Sequence, residues 1–189
     1  EAGDGVLVVN ARLIAGANVA ARLKGLACGA ALKSGDSIVA VRLENGSTEL
    51  KGPRADVDWA EAARGAAVEL WPDAPMLQGP NDLFSQLDVA IADDLDGMVQ
   101  AWGCRSGEKP EHAVLLGDAA GLWMAEGSEV EAAVLDLRGG PIVLGPGATV
   151  QSGALIKGPV VIGANSTVAM GAQIYGPTAL GPHCKVGGE

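Results

Sequence analysis

From Leu144 to Val186 the chain places an aliphatic residue at every sixth position: Leu144, Val150, Ile156, Ile162, Val168, Ile174, Leu180 and Val186. Four residues after each of the first seven stands a short side chain: Ala148, Ala154, Val160, Ser166, Ala172, Thr178 and Cys184. A period of six matches neither a helix, which repeats every ~3.6 residues, nor an alternating strand. It matches a solenoid of short strands and tight corners, three hexads to a turn, in which each aliphatic residue stacks on the one 18 positions later. Gly145, Gly153, Gly158, Gly163, Gly171, Gly176 and Gly181 suit corners with crowded or left-handed backbone. Pro146, Pro159, Pro177 and Pro182 suit bends where no ladder donor is lost. A flexible Gly/Pro-rich tail would not hold this register.

The 189 residues suffice for a small domain followed by a solenoid. Hydrophobic content is 48%, yet aromatics number four Trp, one Tyr and one Phe, so the core must be aliphatic. The net charge of −10, without a Lys/Arg cluster, argues against nucleic acid or an anionic membrane as partner. No apolar run reaches the length of a spanning helix, and no signal peptide is visible. Cys28, Cys104 and Cys184 are widely spaced with no CxxC, which fits a reducing, cytoplasmic setting. The first residue is Glu1 and the last, Glu189, falls mid-register, so the chain is expected to be a piece of a longer protein.

Before the hexads the pattern is mixed. Val6–Val9 reads as a buried strand, and Asn18 as the cap of a helix through Leu26. Ser37–Leu43 alternates as a strand and ends in the turn Asn45-Gly46. Asp58 is placed to cap a helix from Trp59 to Ala67. From Pro80, capped by Asn81 or Asp82, an amphipathic helix is predicted with Phe84, Leu87, Ile91, Leu95 and Met98 on one face. Asp88, Asp93, Asp94 and Asp96 fall on the other side, read as a solvated face rather than a metal site. Arg105–Glu111 reads as a polar linker. Met124 and Val130 already sit six apart, but this early register slips by two residues around Arg138-Gly139-Gly140, read as an inserted loop.

Several stretches carry a family resemblance: Val8-Val9-Asn10-Ala11-Arg12-Leu13, Pro80-Asn81-Asp82-Leu83-Phe84, Gly140–Gly145, and above all Gly171-Ala172-Gln173-Ile174-Tyr175-Gly176-Pro177 with Gly181–Glu189 after it. Together they resemble the GlmU-like sugar nucleotidyltransferases, whose hexapeptide-repeat part is a left-handed parallel β-helix acetyltransferase. The resemblance implies an incomplete nucleotidyltransferase-like α/β region at residues 1–110 and a hexapeptide-repeat β-helix at 111–189, truncated at its C-terminus. It implies a bifunctional UDP-N-acetylglucosamine pyrophosphorylase and glucosamine-1-phosphate N-acetyltransferase, taking sugar phosphate and nucleotide substrates. Acetyl-CoA as co-substrate, Mg2+ in the nucleotidyltransferase half and a homotrimer come with it. The family's N-terminal nucleotide-site segment and its acetyl-transfer histidine have no counterpart among residues 1–189, so the piece itself is expected to be inactive. Two alternatives stand beside this reading: a non-catalytic trimerising β-helix module, and a stand-alone hexapeptide O- or N-acyltransferase.

His183 is the candidate catalytic base, because hexapeptide acyltransferases use histidine to deprotonate an acceptor. Its hexad position instead points it outward from a regular coil. Arg138 and Lys185 are candidate substrate-binding cations near solenoid turns, suited to a phosphate or to coenzyme A. Asn10 and Arg12 follow the first strand, where an open α/β sheet places ligand-binding groups. No Cys/His cluster with metal-ligand spacing is present, and no metal ligand is assigned. The carbonic anhydrases that share the β-helix need three histidines; this chain has two.

Overall fold

A computed structural model describes residues 5–44 and 57–187. The chain forms two compact units, Glu1–Pro80 and Asn81–Glu189. In the first, β1 (Gly5–Val9), α1 (Ala17–Gly25), β2 (Ala30–Ser34), β3 (Ser37–Glu44), α2 (Trp59–Ala62) and β4 (Ala67–Leu70) follow in order. The sheet runs β1-β3-β2-β4, with β3 antiparallel to both its neighbours and β4 parallel to β2. Leu26, Leu32, Val39 and Met76 centre the core, with Leu7, Leu13, Leu23 and Trp71 packed against them.

Sequence reading finds β1 and β3 but not β2 and β4, and β1 is not the buried strand expected of Val6–Val9: it stands at the sheet's edge, with Val6 and Val9 exposed. β2 is five residues long, and its partner across the turn, β3, is reached through Gly35 at φ +54, a value that glycine adopts freely. The expected cap Asn18 is not one: α1 starts a residue earlier behind Gly16, without a side-chain cap. Its apolar face is as predicted, with Val19 and Leu26 buried and Leu23 against the core. The Asp58 carboxylate does cap α2, accepting from the Glu61 N–H at 3.0 Å. That helix stops at Ala62 rather than Ala67, since Gly65 (φ +79) turns the chain into β4, paired along Ala30–Lys33. The turn expected at Asn45-Gly46 lies outside the described residues.

The second unit opens with two helices where one was expected. α3 (Asp82–Ser85) is interrupted at Gln86, and α4 (Leu87–Trp102) follows. Phe84 falls on the short helix and is 76% exposed, so it leaves the predicted apolar face. The rest of that face holds: Ile91 is buried, and Leu87, Leu95, Met98 and Trp102 pack with it on Trp123, Val143 and Val161. β5 (Arg105–Ser106), inside the predicted linker, pairs antiparallel with Leu122–Met124 and covers the outer edge of that strand.

From Val114 onward the chain is a parallel β-solenoid with three sheets of four coil strands each. The first stacks Leu122–Met124, Ile142–Leu144, Val160–Ile162 and Thr178–Leu180. The second stacks Glu129–Val130, Thr149–Val150, Thr167–Val168 and Lys185–Val186. The third stacks Val114–Leu116, Val134–Asp136, Leu155–Lys157 and Gln173–Tyr175. The hexad residues are its interior: Leu144, Val150, Ile162 and Val168 are fully buried, Ile156 and Ile174 nearly so. Leu180 and Val186, on the last coil, are half-buried because one side has nothing stacked on it among the described residues. Four of the seven small slots, Ala148, Ala154, Val160 and Ser166, are at zero exposure, whereas Ala172 and Thr178 are half-buried and Cys184, on the last coil, is exposed. At Gly163 an added Cβ would lie 2.5 Å from the Gly181 carbonyl carbon, so the coils touch there backbone to backbone.

The two-residue slip is also present, and it has a structural cause. Leu144 stacks on Ile162 after 18 residues, whereas Met124 stacks on Leu144 after 20. A 3-10 turn, Leu137–Gly139, lengthens the corner after Asp136 by three residues: nine from Leu135 to Leu144, against six from Ile156 to Ile162. The corner before it is one residue shorter, five from Val130 to Leu135, which leaves the net two. The Asp136 carboxylate accepts from the Arg138 N–H. An equivalent turn, Ala119–Gly121, is capped the same way by Asp118. That second insertion has no sequence-based counterpart above.

Candidate functional site

In the first unit the residues after β1 are tied into the fold. Asn10 donates from its amide to the Ile38 carbonyl at 3.0 Å and accepts from the Arg12 N–H. Arg12 Nε donates to the Leu77 carbonyl at 2.6 Å, and its Nη2 to Gln78 Oε1. The sheet here is mainly antiparallel, so the crevice beyond parallel strand ends, which placed ligand groups at Asn10 and Arg12, is not formed at β1. What the two side chains do is fasten the end of β1 to β3 and to residues 77–78. The guanidinium of Arg12 remains exposed.

The solenoid separates its three candidates. Arg138 makes a two-pronged pair with Asp136, Nε to Oδ1 and Nη2 to Oδ2, both at 2.8 Å. That hydrogen-bonded guanidinium holds the Asp136 carboxyl down at about 2 and raises Arg138 in turn. Lys157, the strand neighbour of Asp136, adds a weaker attraction. The Arg138 charge is therefore matched by a carboxylate of the same chain, on the surface at the end of the strand Val134–Asp136. Lys185 lies on the second sheet, beside Thr167, and is exposed.

His183 sits two residues before Lys185 at a corner with φ +57. It crowns a column of left-handed residues, Gly127, Gly147 and Asn165, one per coil. Asn and His are the non-glycine types that best tolerate this conformation, so the corner itself accounts for a histidine here. The residue is exposed, and its backbone N–H donates to the Ala164 carbonyl. The structure thus brings His183 near Lys185 in sequence and on one coil, while Arg138 stands on another sheet.

Sequence reasoning passed over a hollow of about 530 Å³ beside the outer edge of Glu129–Val130. Met124 and Val130 give it an apolar floor, with His112, Glu129, Glu131 and Ser152 around it. Ser152 donates to one Glu131 oxygen from both its hydroxyl (2.6 Å) and its N–H (2.8 Å), which lowers the Glu131 pKa. An ionised carboxylate on an open hollow accepts hydrogen bonds from hydroxyl or ammonium groups and repels phosphate. Glu131 and Ser152 are 21 residues apart, and only knowledge of the lengthened coil would have paired them. On α4, Asp88, Asp93, Asp94 and Asp96 are exposed. Among the described residues no group of three His, Cys, Asp or Glu is placed to hold a metal ion. The three cysteines are free thiols.

A family model described as sugar nucleotidyl transferase covers residues 1–101, which takes in the whole first unit, α3 and nearly all of α4 but none of the coils. No curated protein and no solved structure matches the chain.

Proposed function

Because the chain belongs to the sugar nucleotidyl transferase family, we propose that it serves nucleotide-sugar synthesis as a UDP-N-acetylglucosamine pyrophosphorylase coupled to a glucosamine-1-phosphate N-acetyltransferase. The observation that carries this reading is the union, in one chain, of the family-matched segment with a parallel hexad solenoid. In the first reaction a phosphate oxygen of the sugar 1-phosphate attacks the α-phosphorus of UTP, and pyrophosphate leaves. Catalysis of that step rests on alignment of the two phosphates and on groups that offset the charge developing on the oxygens. In the second, the amine of glucosamine 1-phosphate takes the acetyl group of acetyl-CoA, releasing the thiol. A homotrimer and a cytoplasmic setting belong to the same proposal. No helix among the described residues is long and apolar enough to cross a membrane.

A second reading is favoured by the state of the solenoid cations. Arg138 is neutralised by Asp136 and His183 fills a left-handed corner, so the coils supply packing rather than an evident reacting group. On this reading the solenoid is a scaffold and the chain transfers nucleotidyl groups alone. Because residues 1–189 alone are expected to be inactive, the protein is assayed at its natural full length for pyrophosphate release from UTP with N-acetylglucosamine 1-phosphate, beside a panel of other nucleoside triphosphates and sugar 1-phosphates. Thiol release from acetyl-CoA with glucosamine 1-phosphate is followed in parallel. Both activities together support the bifunctional reading, and pyrophosphate release alone supports the scaffold. Absence of both, with every pair in the panel, contradicts nucleotide-sugar synthesis.

A further inference from the structure

We draw no further inference here: the strongest candidate, the outward apolar stripe of the third solenoid sheet formed by Val114, Val134 and Leu155, carries nothing because nothing in the structure shows what covers it.

Discussion

The solenoid and the α/β unit reach burial by opposite routes. In the later coils every interior residue meets the one 18 positions away, so one rule, repeated, builds the whole core. In the first unit the core draws on residues from Leu7 to Met76, and β4 reaches β2 across the pairing of Ala30 with Ala67. A repeat protein is stabilised coil by coil through nearest neighbours, whereas a mixed sheet closes only when distant segments meet. Damage to a coil should therefore spread along the stack, strongest in the adjacent turns.

The largest expected effect breaks the stack at its centre. Ile162→Asp would bury a carboxylate with no partner in an apolar prism, costing several kcal/mol, on the order of 4 or more. Hydrogen exchange should show protection lost first in Ile142–Leu144 and Thr178–Leu180, the strands stacked on either side of it. A variant with unchanged thermal midpoint and unchanged protection would refute the register. Next comes the cover on the first sheet. Ile91→Ala removes the one nine-tenths-buried side chain of α4, with an expected loss of about 2–5 kcal/mol in denaturant unfolding. A cost within about 0.5 kcal/mol, the size of an ordinary surface change, would mean that α4 is not held by Val143 and Val161.

A smaller effect sharpens the role of the short slots. Ser166 is fully buried, donates to the Gly181 carbonyl and accepts from the Cys184 N–H. Ser166→Ala leaves both peptide groups without that partner, at about 1–3 kcal/mol. Ser166→Thr would restore the hydroxyl but crowd the slot, so a variant more stable than the alanine one would show that the hydrogen bonds outweigh the packing. The smallest is a pH effect on the inserted corner. The Asp136 carboxyl is depressed from 3.8 to about 2, so its contribution is fully present above 3.8 and is lost as pH falls through about 2. Carboxylate carbon shifts should titrate near that value, and Arg138→Gln should move the midpoint back up. A midpoint at the ordinary value in the parent would show that the pair does not persist in solution.

What the sequence made legible follows from the same contrast. Leu144 through Val186 announce the interior because burial and spacing are set by one period, and the slip around Arg138 shows as an interrupted count. The slip at Ala119–Gly121 was hidden, since the strand before it, Val114–Leu116, turns only Leu115 onto the core, and one position fixes no period. β2 and β4 were hidden for another reason: each is short, and its place depends on a partner far along the chain. Gly35-Asp36 between two apolar runs was the available sign of the β2–β3 turn. The site was less legible than the fold. Residue type suggested Arg138 and His183, but the carboxylate beside one and the left-handed corner beneath the other depend on the folded backbone.

The contrast extends to function, because the family match ends at residue 101 and the coils begin at Val114. Nucleotide-sugar recognition should therefore belong to the matched segment. Amide chemical shifts of the native protein, recorded as UDP-N-acetylglucosamine is added, test this most directly. The expected result is saturable shifts among residues 5–44 and 57–101, with the buried strands Ile142–Leu144 and Val160–Ile162 unmoved. Saturable shifts confined to the coils, or none at millimolar ligand (~1 mM, a binding energy of only about −4 kcal/mol), would contradict it.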